Sequence, residues 1–586
     1  MSLPFLLILL ILSIGVSACG GDTNGTETGK PAMGGKRYGG VYRMNILRGS
    51  PNGLDPVLVN SKHADDIASQ IFDKLIDLDD SLRLVPELAR ELPTISEDGR
   101  TYTFRLRADV AFQDADCFTG GKGRRMRAED VRYSLTRCCD PRAHTVAFWA
   151  FQDKVKGATS FNRMVMDELA GKSPVGRADS IGIPGFRVVD DSTFQIELEQ
   201  PYAPFIYVLC NSLGSVVPRE AVEKYGRDFF KKPVGTGPFT LVSWSPDQSL
   251  VMKRNPSYWG KDADGNRLPF LDSIECRFIK DDKVQMSEFL NGGLDESFNI
   301  PTERFAEVFD IQTKKPLPTY AKYQIQGAPA MLTWFFDFNT TKNPFDRREV
   351  RRAFAFAVDR ARIVRFALQN SPFAPAEHGV VPPVFHGYPV SSIKGFTYDP
   401  QEARRLLAEA GYPDGRGFPK VELTIYPEPR LRQVAEAVHE MVKTNLNIDL
   451  DIRTIDFPQL LEQAELGKLS FWGARWYGDY PDPETFLLLF NGDLVPKDTT
   501  IKSYPNSTRY NNPEYVALFK KGVSTIDRRA QMQFYARAEQ IAIDDAPAIP
   551  LFYDMHYRLL QPWVRDCPLG AMARYDLKYL WLERKG

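Results

Sequence analysis

Residues 530–553 read AQMQFYARAEQIAIDDAPAIPLFY. Ala530 to Asp544 carry helix formers without a breaker, and the helix must stop before Pro547, whose ring removes the next N–H donor. Ile549 to Tyr553 then make a short apolar run of strand length. A strand near Leu551 needs a sheet to join, so helices and strands share this fold. The chain reads as mixed α/β.

Working outward, the same two periodicities recur. Tyr102, Phe104 and Leu106 alternate with polar residues, as do Phe194, Ile196 and Leu198, the pattern of half-buried strands. Asp346 stands three residues before Glu349, a capping-box spacing, and Val350, Phe354 and Val358 follow at helical intervals. Asp399-Pro400 predicts an N-cap and first-turn proline. Gly411 and Pro413 mark the end of that helix. With 586 residues the chain exceeds what one hydrophobic core serves, which predicts two lobes or more. No period of repeat-protein length recurs.

Lys and Arg total 74 against 75 for Asp and Glu, a balance that leaves no electrostatic footprint for nucleic acid. The basic cluster Lys122 to Arg127 lacks interleaved aromatics and reads as a solvated loop. Leu3 to Val16 form an uncharged apolar run too short for a comfortable membrane span, so residues 1–18 read as a signal peptide. The run ends in Val16-Ser17-Ala18-Cys19, which resembles a bacterial lipobox with Cys19 as the lipidated residue. No Lys or Arg precedes the run, which is unusual for such a signal. Residues 19–40, rich in Gly and Thr, read as a flexible tether; some 20 residues would span roughly 25 Å. The expected location is the cell envelope, outside the cytoplasm and tied to a membrane through the lipid.

Cys117, Cys138, Cys139, Cys210, Cys276 and Cys567 remain. Export permits disulfides, and a bridge from Cys117 to Cys138 or Cys139 would close about 20 residues, worth roughly 3 kcal/mol. No CxxC occurs and no histidine stands at zinc-ligand spacing, so no metal or cofactor is expected. Enzyme motifs are missing too: no GxSxG, HExxH, P-loop or GxGxxG is present, and His439-Glu440 lacks the second histidine. Paired carboxylates such as Asp65-Asp66 and Asp544-Asp545 read as solvated faces. No catalytic residue is assigned; an exported hydrolase without a linear motif is the competing class.

Several blocks, in order, are similar to the family 5 extracellular solute-binding proteins, the oligopeptide and dipeptide receptors of ABC importers. They include Leu54-Asp55-Pro56, Ile71-Phe72-Asp73, Asp98-Gly99-Arg100-Thr101-Tyr102-Thr103-Phe104, Ala128-Glu129-Asp130-Val131, Val234-Gly235-Thr236-Gly237-Pro238-Phe239, Arg254-Asn255-Pro256 and Val350-Arg351-Arg352-Ala353. The resemblance spans about Gly39 to Cys567. It implies a two-lobe periplasmic-binding-protein-like α/β fold with a hinge between the lobes. Lobe I would hold residues 41–325 and 545–586, with an inserted subdomain at about 76–185, and lobe II residues 326–544. It further implies a monomer that passes a peptide or other small solute to the transmembrane subunits of an importer. One departure is local: Phe112 is followed by Gln113-Asp114-Ala115-Asp116 and a Gly- and Arg-rich insertion, where the family has a His-Asp-Gly-like turn. That puts ligand length in question.

The segment Arg475 to Phe486 resembles the family's Trp-x-x-Asp-Tyr segment, whose Asp takes a peptide's α-ammonium. The matching residue is Asp479. Asp482-Pro483 already supplies a cap and a first-turn proline, which leaves Asp479 free. Trp476, Tyr477 and Tyr480 crowd the same turn and suit stacking on a ligand or caging a cation, though a sugar ring would suit them as well. The resemblance also places Asn52 and Leu54 where the first lobe offers backbone to a peptide. Trp149 is a further candidate for lining the pocket.

Overall fold

The computed structural model describes residues 29–46 and 50–583; the signal segment, the lipobox and Cys19 lie outside them. The 530–553 stretch folds as its pattern dictates. Asp527 accepts the Ala530 N–H at 2.8 Å and opens the helix Arg528–Asp545, and Ala546, at φ +50°, closes it before Pro547. The strand beyond is longer than its apolar run: it is Ala548–Leu560, buried along nearly all its length. Asp554, His556 and Arg558 conceal the continuation in sequence, because each is polar yet buried against a partner.

That strand belongs to a seven-stranded sheet. Its path runs Glu296–Phe298, Ala548–Leu560, Gln324–Phe338, Phe471–Tyr477, Val421–Ile425, Leu450–Thr454, with Ala374–Pro375 paired onto Ala548–Leu560. Val421–Ile425 runs parallel to both of its neighbours, and the helix Pro429–Leu446 provides one of the crossovers such pairing requires. The two long strands are antiparallel. Gln324 to Pro329 face Leu560 to Met555, and Thr333 to Asp337 face Tyr553 to Ala548, with a register shift between Pro329 and Thr333.

These strands run through the expected partition. Residues 548–553, assigned to lobe I, pair within the sheet of lobe II, while the far halves of the same strands pair with Glu296–Phe298. Continuous backbone pairing carries both strands through the crossing. In lobe I, Val41–Asn45, Ser273–Arg277, Ser249–Arg254 and Phe239–Ser245 form one sheet in that order. The inserted subdomain has its own sheet, in which Tyr102 faces Ile196 and Phe104 faces Phe194, all at most 2 % exposed. The strands Phe186–Asp190 and Thr193–Glu197 belong to it.

Three local readings also change. Residues 29–40 are packed rather than loose: the Met33 N–H donates to Asn266 Oδ1 at 2.8 Å, Lys36 Nζ pairs with Asp262 at 2.7 Å, and the Tyr38 ring rests on Phe270. A segment short of apolar residues is ordered here by the polar loop it meets. Asp346 caps nothing; it lies in the preceding turn, its N–H bonded to the Lys342 carbonyl, and the helix Arg348–Ala357 starts from Arg347 without a side-chain cap. Asp399, by contrast, accepts the Gln401 and Glu402 N–H groups at 3.0 Å, and Gly411 takes φ +87° beyond that helix. Finally, all six cysteines are free thiols; Cys138, on the helix Ala128–Cys139, donates to the Leu213 carbonyl instead of bridging to Cys117.

Among the described residues no helix is long and apolar enough to cross a membrane.

Candidate ligand site

Asp479 emerges where the lobe II sheet meets the strand crossing. Phe471–Tyr477 pairs with Gln324–Phe338 up to Tyr477 opposite Leu332, and the Gly478 N–H then donates to the Met331 carbonyl at 2.9 Å. A Cβ on Gly478 would sit 3.0 Å from both Met331 and Phe486, so a residue without a side chain lets the strand end pressed against them. The turn beyond is fastened by one hydroxyl. Thr485 Oγ1, fully buried, accepts the Asp479 N–H at 3.2 Å and the Trp476 indole N–H at 3.4 Å.

The Asp479 side chain is left over from this bonding. Its carboxylate has no hydrogen-bond or ion-pair partner among the described residues. Water reaches it, yet protein surrounds it closely enough that burial pushes its carboxyl up to about 6; solvent contact tempers that rise. Tyr504, 60 % exposed, lies close enough for its phenol to feel the Asp479 charge. The result is a carboxylate oriented by its backbone and free to accept.

Asp482 is spent otherwise, as its sequence position predicts. It is wholly buried, accepts the Glu484 N–H at 2.9 Å and pairs with Arg528. Trp476 and Tyr477 remain half-buried beside Asp479, and the Tyr477 hydroxyl lies 3.3 Å from His556 Nε2. Tyr480 is the exception. At 3 % exposure it donates to the Glu484 carboxylate and lies 3.5 Å from the Tyr202 hydroxyl, across the seam between the lobes. Burial raises the Glu484 carboxyl to about 7. Two further contacts bridge the same seam: the Ala203 N–H donates to the Val523 carbonyl at 2.8 Å, and the Arg528 guanidinium lies over the Tyr207 ring.

The other candidates do not gather around Asp479. Leu54 is fully buried and its N–H already donates to the Phe230 carbonyl at 3.0 Å, so it has no N–H to offer a peptide. Asn52 is exposed in a cleft of about 960 Å³ shared with Gln113, Lys232 and Trp244, and no residue of the 476–485 turn lines that cleft. Trp149 is 45 % exposed on the short turn Phe148–Ala150, where its carbonyl accepts from Lys154. Sequence reasoning missed Thr485 as the fastener, since a lone threonine in a first helical turn carries no signature. Among the described residues no cluster of three His, Cys, Asp or Glu could hold a metal ion.

The model for bacterial extracellular solute-binding proteins, family 5 Middle, matches residues 83–495. The chain belongs to this family of bacterial extracellular solute-binding proteins. The family that its motif blocks resemble is thus the family it is in. This solute-binding protein is 27% identical over 497 residues to the dipeptide-binding protein DppE of Bacillus subtilis, covering 83% of the chain and 82% of the relative. It is 26% identical over 519 residues to the periplasmic oligopeptide-binding protein OppA of Salmonella typhimurium, with 87% of each covered. Among solved structures, the oligopeptide-binding protein OppAIV of Borrelia burgdorferi superposes with a TM-score of 0.70 at 26% identity, over 93% of this chain and 100% of that one. DppA of Helicobacter pylori in complex with the peptide STSA gives 0.73 over 94% and 99%; at 22% identity that likeness concerns the fold. The solute-binding protein therefore has the two-lobe periplasmic-binding fold.

Proposed function

We propose that the chain captures peptides between its two lobes and delivers them to the transmembrane subunits of an ABC importer, without catalysis. The observation that carries this is the unpaired Asp479 carboxylate, held by a turn whose other polar groups are satisfied. A carboxylate losing water as a cleft closes needs a cation and N–H donors, and a peptide's α-ammonium supplies both. The relatives named for dipeptides, oligopeptides and, in GsiB, glutathione support a peptidic ligand. Half-buried Trp476 and Tyr477 would cover its first residue. The hinge lies in the two long strands near the register shift beside Met331, with lobe I on one side and most of 326–544 on the other. Closure about such a hinge excludes water from the polar contacts.

The lipobox places the lipid on Cys19, which would hold a monomeric receptor beside its importer in the envelope and raise its local concentration there. Incubating the purified protein with a mixed peptide library and recovering the bound fraction tests the reading. Peptides retained with their bonds intact are the expected result; cleaved peptides, or none retained, overturn it.

A further inference from the structure

We propose that lobe I rests on an anionic membrane surface by the face that carries the packed N-terminal hairpin, residues 29–38, which leaves lobe II clear of the bilayer and free to close. This rests on the reading of Cys19 as the lipid-anchored residue.

The hairpin is fastened to lobe I. Pro31 and Arg37 bridge its two arms, with the Ala32 N–H on the Lys36 carbonyl at 2.9 Å and the Tyr38 N–H on the Lys30 carbonyl at 2.8 Å. Asn266 clamps the tip from both sides: its Oδ1 accepts the Met33 N–H at 2.8 Å, and its Nδ2 donates to the Met33 carbonyl at 3.1 Å. Lys36 pairs with Asp262, whose side chain is only 3 % exposed, and the Arg254 guanidinium lies 5.2 Å from the centroid of the Tyr38 ring. Asp262 and Asn266 stand in the connection between Ser249–Arg254 and Ser273–Arg277, two strands of the lobe I sheet.

This packing shortens the leash. Were Cys19 to Gly40 all unattached, they would reach about 75 Å when fully extended. With the hairpin fastened, only Cys19 to Thr28 lie between the lipid and the folded body. Whatever their path, they reach no further than about 35 Å. A body of about 550 residues has a radius of gyration of about 24 Å and a width of roughly 60 Å. A leash shorter than the body is wide cannot pass round it. The face turned to the bilayer is therefore the one that carries the hairpin.

The side chains on that face suit lipid headgroups. Met33, at the tip, is 57 % exposed. Near it Lys30, Lys261 and Arg267 are exposed and Arg37 is half-buried, and none of the four has an ion-pair partner among the described residues. Lys261 and Arg267 oppose each other across an antiparallel bridge, where like charges repel. The nearby acids Asp262 and Asp264 both already bond to Lys36. Anionic headgroups supply the missing counter-charge, and an apolar side chain among basic ones fits the boundary between headgroups and acyl chains.

The lipidated protein, in vesicles of phosphatidylethanolamine and phosphatidylglycerol, is acetylated with a lysine reagent, and each site is read by mass spectrometry against the Cys19→Ser chain free in solution. Lys30 and Lys261 should become protected, whereas Lys420 and Lys497 of lobe II, both exposed, should react as before. Protection spread evenly, or confined to lobe II, overturns the proposal. So does protection of Lys30 and Lys261 that appears only when the importer shares the vesicle, since the face then belongs to a protein partner. The Cys19→Ser chain keeps the surface apart from the anchor. It should bind vesicles that contain phosphatidylglycerol, and K261Q and R267Q should each lower that affinity by about fivefold, with K420Q unchanged. A mature protein without lipid on Cys19 removes the anchor reading and leaves these affinities to decide the surface; no preference for phosphatidylglycerol, or an equal loss in K420Q, overturns it.

Discussion

Asp479→Ala should lower peptide affinity by about a hundredfold, the range measured when one partner of a desolvated charge pair is removed, while leaving thermal stability close to wild type. Stability survives because the side chain holds nothing: the turn is bonded through the Asp479 N–H, which alanine retains, to Thr485 Oγ1. Affinity should fall because, on the function proposed above, the ligand ammonium loses its counter-charge in a closed cleft. Asp479→Asn keeps the size and removes the charge, so it should bind almost as weakly. The pH dependence has a definite sign. With the free carboxyl at about 6, binding an ammonium requires the ionised form, so affinity is full above that value and declines below it, at most about tenfold per pH unit. Calorimetric titration of a bound peptide across that interval checks both statements. An affinity unmoved by Asp479→Ala contradicts them.

The second large effect lies in the strand crossing. Arg558→Met should destabilise the protein by about 3–5 kcal/mol, the cost typical of breaking a buried ionic network from one side. Arg558 is 1 % exposed. Its Nε and Nη2 donate to Gln326 Oε1 at 3.0 and 2.8 Å, and Nη2 also reaches the carbonyls of Cys567 and Pro568 at 2.6 and 2.7 Å. Nη1 stands 3.8 Å from Glu296, whose carboxylate accepts the Tyr42 and Tyr575 hydroxyls at 2.9 and 2.7 Å. One side chain therefore ties the two long strands to each other and to the C-terminal segment, and through Glu296 to Tyr42 of the lobe I sheet. Without it Glu296 is a buried carboxyl, already raised by burial, with only neutral partners. Adding Glu296→Gln to Arg558→Met should recover part of the loss, because the two residues are coupled. Denaturant titrations of the single and double variants decide it, and a loss below about 1 kcal/mol for Arg558→Met would show that the network is not holding the crossing.

Much of this fold was legible where local pattern and burial agree. Tyr102 and Phe104, or the cap at Asp399, announce themselves because the groups that satisfy them are sequence neighbours or an obvious apolar face. The long strand ran past its apolar stretch unseen because Asp554, His556 and Arg558 look like loop residues until Arg430, Tyr477 and Gln326 are brought to them by folding. The site divides the same way. The resemblance of its segment to the family's Trp-x-x-Asp-Tyr run points to Asp479, and Asp482, with a capping task of its own, leaves it free. The burial of Tyr480 was not legible, since the hydroxyl beside it belongs to Tyr202, 278 residues away. The Leu54 N–H is taken in the same way, by the Phe230 carbonyl from a distant turn.

Native mass spectrometry of the protein purified without denaturation from cells grown on a peptide-rich medium tests peptide capture most directly. Wild type should carry intact peptides as its bound mass, and Asp479→Ala prepared in parallel should come away largely empty. A bound oligosaccharide or metal chelate in place of peptide, or equal peptide occupancy in the Asp479→Ala variant, would contradict the account.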